Sequence, residues 1–243
     1  MIKTAIFVEG QTELIFVREM LLKVFQYQDI ALECFNLIKD SNLSSTEYPY
    51  QNDGATHYFQ ILNVGNDRSV LSRMLNRESN MLNAGFSKII GLRDMYSKEY
   101  REVVGNAEID DKVSQHFIDK TQSQIISSAM FFTYSIMEVE AWMLGLSHSL
   151  VRIDKRLTNQ LILDEIGFDL SEIDPETVFF HPAKVVEKIF LMVGMDYKKS
   201  QDNSNMILGS FEREDFINLL NSKKCNSFKE FYGHIFNLNP FLN

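Results

Sequence analysis

The chain has 243 residues, with 24 Lys and Arg against 33 Asp and Glu, a formal net charge of −9, and 45% hydrophobic residues. That length supports one elaborated domain or two small ones with a full core, so no disulfide or structural-metal staple is required. Cys34 and Cys225, the only cysteines, are far apart and have no Cys or His at ligand spacing, which excludes a disulfide framework and a thiolate zinc site; both read as buried free thiols. The first apolar run, Ala5 to Val8, is too short for a signal-peptide core, and no stretch approaches the about 18 apolar residues of a spanning helix. The expectation is a protein of a reducing, bacterial-type cytoplasm with no membrane contact. The acidic balance argues against holding nucleic acid by bulk electrostatics. It leaves room for a nuclease, whose metal ions supply positive charge locally.

Short apolar segments suited to buried strands occur at Thr4–Val8, Ile30–Leu37, Tyr58–Val64, Lys88–Leu92 and Met130–Tyr134. Between the first two, Leu14, Val17, Leu21, Val24 and Phe25 recur at steps of three and four, predicting an amphipathic helix from Thr12 to about Gln26. Residues Asp67–Asn83 and Asp111–Ser127 read as two further helices, and the polar segment Ser41–Gly54 as an exposed loop. Strand and helix alternating in this way predict a mostly parallel sheet, flanked by helices and joined by right-handed crossovers. The character changes near Gly145. Beyond it the spacing predicts helices at about Asn159–Glu165, Pro182–Val193, Arg213–Asn221 and Ser227–Phe236, separated by turn-prone Asp174-Pro175 and Lys198–Asn205. The expected organisation is an α/β domain over residues 1–147 and a helical C-terminal region over 148–243.

Three acidic positions stand where strands end. Glu9 closes the first strand and is followed by Gly10 and then a helix. Crevices at the carboxyl ends of strands are where open α/β sheets bind ligands, and an acid there must be solvated, paired or bound to a cation. Alternatively Glu9 accepts from the N–H groups of the helix start, while Thr12 and Glu13 serve only as N-cap and first-turn charge. Asp94 ends the fourth strand, where it is either a site residue or a turn Asp paired with Arg93. Glu140 lies just beyond the fifth strand, in a helix expected to begin immediately after Ser135. On such a helix Glu138 would point about 200° away from Glu140, at about 100° per residue, and the two could not easily share a metal. Trp142 reads as a core or interface anchor. Three carboxylates from different strand ends, with no His or Cys among them, form an oxygen-rich set suited to Mg²⁺ or Mn²⁺.

None of the five histidines forms a metal-spaced pair, and no Gly-x-Ser-x-Gly is present. His181-Pro182 reads as a helix start with Pro in the first turn. Glu108, Asp110 and Asp111 read as a solvated loop and helix start. Arg152, Lys155, Arg156, Lys198, Lys199, Lys223 and Lys224 could contact phosphates but read more simply as solvated surface.

Thr4-Ala5-Ile6-Phe7-Val8-Glu9-Gly10-Gln11-Thr12-Glu13 resembles the first motif of TOPRIM domains, and Gly91-Leu92-Arg93-Asp94-Met95-Tyr96 resembles the second, a strand followed by an Asp-x-Asp pair. With Glu138-Val139-Glu140-Ala141-Trp142, the ordered set is most similar to the toprim-like family known as domain of unknown function 4276, related to old-type, RloB-type and abortive-infection proteins. The match covers about residues 2–146, with a weaker one at His181-Pro182-Ala183. The resemblance implies a TOPRIM-like, Rossmann-like fold and a Mg²⁺- or Mn²⁺-dependent nuclease acting on DNA or on RNA such as tRNA, as effector of a bacterial anti-phage or abortive-infection system. It implies Glu9 as general acid or base and metal contact, with Asp94 and Glu140 as metal ligands; Gly10, Thr12, Glu13, Arg93, Tyr96 and Glu138 are secondary candidates. Tyr96 departs from the family pattern by replacing the second Asp of Asp-x-Asp, which weakens two-metal catalysis. Relatives are often encoded beside an ABC-type or AAA-type ATPase, which is the expected partner, since this chain has no Gly-x-x-x-x-Gly-Lys-Ser/Thr. Homodimer formation is an open alternative. The competing readings are a non-catalytic TOPRIM module docked on such an ATPase and, third, a primase-like or phosphotransferase activity.

Overall fold

The structure, a computed structural model, describes residues 1–38, 42–65, 69–105, 108–197 and 201–237. Among the described residues six strands, β1 (Ile2–Val8), β2 (Ile30–Ile38), β3 (Asn42–Ser45), β4 (His57–Asn63), β5 (Phe86–Asp94) and β6 (Met130–Ser135), form one sheet in the order β3-β2-β4-β1-β5-β6. Strand β1 pairs in parallel with β4 and β5, and β2 in parallel with β4, whereas β3 is antiparallel to β2. The fold is therefore α/β and Rossmann-like, a mostly parallel sheet flanked by helices, followed by a helical C-terminal region.

The helices are α1 (Gln11–Val24), α2 (Val70–Asn83), α3 (Lys98–Val104), α4 (Asp111–Gln122), α5 (Glu140–Gly145), α6 (Leu150–Ile153), α7 (Asn159–Ile166), α8 (Pro175–Val178), α9 (Pro182–Leu191), α10 (Gln201–Gly209), α11 (Arg213–Asn221) and α12 (Asn226–Phe236). The chain separates into two compact units: Met1–Arg93 with His116–Tyr134 and Glu230–Asn243, and Asp94–Gln115 with Ser135–Lys229.

In the first unit β1 lies between two partners, and its Ala5, Ile6, Phe7 and Val8 are fully buried. A strand covered on both faces has no polar alternation, which is why this segment reads as a continuous apolar run. Helix α1 packs along β1, β2 and β4 and buries Leu14, Ile15, Phe16, Val17, Met20 and Leu21. It begins one residue earlier than Thr12, with Gly10 as its N-cap. Thr12 is instead buried in the first turn, and a Glu13 carboxylate oxygen folds back to within 2.9 Å of where a Cβ on Gly10 would stand.

The segment expected as a loop between residues 41 and 54 contains β3, four exposed residues added to the sheet edge, and a bridge from Tyr50 to Leu32; Ser41 itself lies outside the described residues. An edge strand solvated on both faces carries no apolar alternation to announce it. Residues 67 and 68 of the expected second helix also lie outside the described residues, which resume before α2.

In the second unit α5 is buried along nearly its whole length and packs on α8 and α9. Trp142 at its centre is fully buried and meets Phe228 edge to face at 5.4 Å, so it is a core anchor. Four helices arise where none was expected: α3 after β5, α6 shortly after α5, α8 at turn-prone Asp174-Pro175, and α10, which starts inside turn-prone 198–205, where 198–200 lie outside the described residues. Both cysteines are free and buried. Burial pushes the Cys34 thiol up to about 12, which removes thiolate chemistry there. No helix among the described residues is long and apolar enough to cross a membrane.

Candidate metal centre

The sheet geometry explains how Asp94 comes to be buried. Strand β5 ends on it. Beyond the strand, Met95 N–H donates to Ser135 O and Tyr96 N–H to Met137 O (3.0 and 2.7 Å), tying the outgoing chain to the turn that follows β6. That turn contains Met137 in a left-handed conformation (φ 63°), an uncommon state for a non-glycine residue. The left-handed step delays the start of α5 to Glu140, with Val139 as its N-cap.

Three carboxylates, those of Asp94, Glu138 and Glu140, each offer an oxygen such that all three lie within 4.8 Å of one another. Their residues are 6%, 4% and 0% exposed. The expectation that Glu138 points away from Glu140 is corrected by this arrangement. A helical step of about 100° per residue applies only inside a helix, and Glu138 belongs to the left-handed turn before α5, which returns its side chain to the same side.

Each acid is gripped through a named oxygen. Asp94 Oδ1 accepts from the Ser135 hydroxyl (2.5 Å) and the Val139 N–H (3.0 Å). Glu138 Oε2 accepts from the Ala183 N–H (2.9 Å) and lies 2.8 Å from His181 Nδ1. Glu140 Oε1 accepts from the buried Tyr197 hydroxyl (2.8 Å). Two carboxylates about 4 Å apart repel by about 4 kcal/mol at an effective dielectric of about 20. A cation among the three reverses the sign of that interaction. The donor set contains only carboxylate oxygens, with neither Cys nor His among the three, which fits a hard divalent ion. The triad is thus a buried acidic cluster able to bind a metal ion.

Of the sequence-predicted site residues, Asp94 and Glu140 are brought together, and Glu138 completes the set. Glu9 belongs to the first unit, half-buried immediately after β1, and is not one of the three. At the strand ends of its own unit, Asn63 Nδ2 donates to Asn36 Oδ1 (3.0 Å) and Gln11 Oε1 (3.5 Å), and Val64 N–H closes onto Val8 O. The Arg93 guanidinium lies over the Tyr134 ring at 5.7 Å. Tyr96 stacks on His181, centroids 4.4 Å apart, with the Arg101 guanidinium 4.9 Å from its ring.

Two partners were not read from the sequence as such. His181 registers there as a helix start, which it is, as the N-cap of α9, and in the weaker resemblance at His181-Pro182-Ala183, but not as a partner of Glu138; Tyr197 carries no signal. A further buried acid, Glu176, lies in the core of the same unit, where Trp142 Nε1–H (2.8 Å), the Ser227 N–H (3.2 Å) and the Ser227 hydroxyl donate to it. Burial pushes its carboxyl up to about 7 against those donors.

Comparison with protein-family models gives no match, and neither curated proteins nor solved structures give one.

Proposed function

We propose that this chain is a TOPRIM-type nuclease that hydrolyses phosphodiester bonds in DNA or RNA with a Mg²⁺ or Mn²⁺ ion held by Asp94, Glu138 and Glu140. The observation that carries the reading is the convergence of three buried carboxylates where β5 and β6 end. Such an ion polarises a phosphoryl oxygen and lowers the pKa of a bound water. The chain's own residues hold and orient the donor oxygens: Ser135 and Val139 fix Asp94, Ala183 and His181 fix Glu138, and Tyr197 fixes Glu140. Locally supplied cationic charge offsets a net charge of −9 toward a polyanionic substrate. The sequence resemblance extends the proposal to an anti-phage or abortive-infection effector controlled by a partner ATPase, with Glu9 as general acid or base.

A second reading, a non-catalytic module docked on that ATPase, is favoured by Tyr96, an aromatic residue engaged in stacking where the family pattern places a second Asp.

The test is incubation of the purified chain, alone and with the neighbouring ATPase, with plasmid DNA and total tRNA in Mg²⁺ or Mn²⁺. Asp94→Ala, Glu140→Ala and Glu9→Ala serve as comparators. Metal-dependent cutting lost in Asp94→Ala and Glu140→Ala supports the nuclease. Cutting retained in both removes the triad from catalysis, and no cutting in any arm, with ATPase binding intact, favours the docking module.

A further inference from the structure

Glu138 stands in a turn, so backbone structure alone does not fix its carboxylate. Two donors from one distant element converge on its Oε2: the Ala183 N–H and the His181 ring, 43 residues away in sequence. Pro182 between them has no N–H to offer. An ionised carboxylate only accepts hydrogen bonds, so the 2.8 Å contact assigns the proton to His181 Nδ1. The imidazole is in turn held by its stack on Tyr96, centroids 4.4 Å apart and planes 29° from parallel. Tyr96 meets Phe180 edge to face at 5.4 Å and lies two residues beyond Asp94. The segment that supplies one acid of the triad therefore also supports the ring that orients another.

We infer that His181 is a positioning residue for the cation site: its Nδ1–H fixes the Glu138 carboxylate in ligating geometry while the ring itself stays outside the ligand set. This rests on the reading of the triad as a metal centre. Outer hydrogen bonds of this kind hold ligands in orientation, and their loss weakens metal binding by about 10–100-fold. Tyr96, in the place of an acid, serves that support.

The experiment is direct measurement of Mn²⁺ affinity of the full chain by calorimetry and by the paramagnetic signal of free Mn²⁺, independent of any activity. His181→Phe keeps a ring on Tyr96 but lacks the donor, and should weaken binding by about 10–100-fold. His181→Asn places a side-chain N–H near the position of Nδ1, and should stay within a few-fold of wild type. In a Glu138→Gln background, His181→Phe should cost nothing further. Wild-type affinity in His181→Phe alongside weakened Glu138→Gln overturns the assignment. So does an equal loss from His181→Phe in both backgrounds, because that marks a general structural effect. Absence of Mn²⁺ binding by the wild-type chain overturns the metal centre itself, and is distinguishable because no variant is then needed.

Discussion

Asp94 Oδ1, on the last residue of β5, accepts the backbone N–H of Val139, the N-cap of α5, at 3.0 Å, so one carboxylate both closes a strand and fixes the turn that carries Glu138 and Glu140. The Ser135 hydroxyl donates to the same oxygen. Charge and shape at this position are therefore separable. Asp94→Asn keeps an accepting oxygen and removes one of three crowded negative charges, so the apo protein should unfold within a few degrees of wild type or above it, while Mn²⁺ affinity falls at least about tenfold. Asp94→Ala also removes the acceptor from two buried donors and should cost about 1–3 kcal/mol of stability. Thermal unfolding with and without Mn²⁺ checks both, and an Asn variant binding Mn²⁺ like wild type would remove Asp94 from the ligand set.

A pH dependence follows from Glu176. Its folded carboxyl is raised to about 7 from an ordinary value of 4.5, chiefly by burial. Below about 4.5 the acid is neutral folded or unfolded and costs nothing. Between about 4.5 and 7 the unfolded chain has released this proton while the folded carboxyl keeps it, so stability falls as pH rises through that window, and above about 7 this one group lowers it by about 3 kcal/mol. Glu176→Gln imitates the neutral acid. Relative to wild type it should gain about 3 kcal/mol between pH 4.5 and pH 8, read from urea unfolding at each pH. A difference that stays constant with pH would mean that Glu176 is not held neutral by its surroundings.

Much of this architecture was written in apolar periodicity, and the exceptions have physical causes. Strands β1, β2, β4 and β5 read correctly because inner strands of a mostly parallel sheet carry apolar runs, and β6, although it is an edge strand, because all of its residues but Phe131 are buried. Helix α3 escaped because Lys-Glu-Tyr-Arg-Glu-Val-Val buries only Tyr100, and β3 because all four residues are exposed. At the candidate site, Asp94 and Glu140 were legible as acids at strand ends. Glu138 was misplaced because a left-handed Met137 shifts the helix start, and no sequence pattern distinguishes that residue from a helical one. His181 and Tyr197 reach the acids from 43 and 57 residues away, a separation that local patterning does not encode.

Gly91 in β5 is required for space, not for backbone conformation. A Cβ there would stand 2.3 Å from Met74 Sδ and 2.6 Å from Phe132 Cδ2. The Met74 side chain can swing away, but the Phe132 ring is part of β6 and packs on Tyr134 at 5.2 Å. Gly91→Ala should destabilise by about 1–3 kcal/mol through overpacking, which lowers the midpoint by roughly 2–4 °C per kcal/mol in a chain of this size. Combining it with Phe132→Leu should return part of the loss. An unchanged midpoint in the single variant would show that β5 and β6 have slack the packing does not suggest.

Trp142 binds the core through its ring and its nitrogen separately. The ring meets Phe228 edge to face, while Nε1–H donates to Glu176 Oε1 and lies 2.9 Å from Ser227 Oγ. Trp142→Phe retains most of the apolar contact but withdraws a donor from a buried carboxyl, and should cost about 1–3 kcal/mol, more at pH 8 than at pH 5. The sign of that dependence follows from Glu176: a charged carboxyl needs the donor more than a neutral one, so losing it raises the folded pKa further and enlarges the high-pH penalty. In a Glu176→Gln background the pH dependence of the Trp142→Phe cost should vanish. Urea unfolding of the four proteins at the two pH values decides it, and a cost that depends on pH equally in both backgrounds would place the titrating group elsewhere.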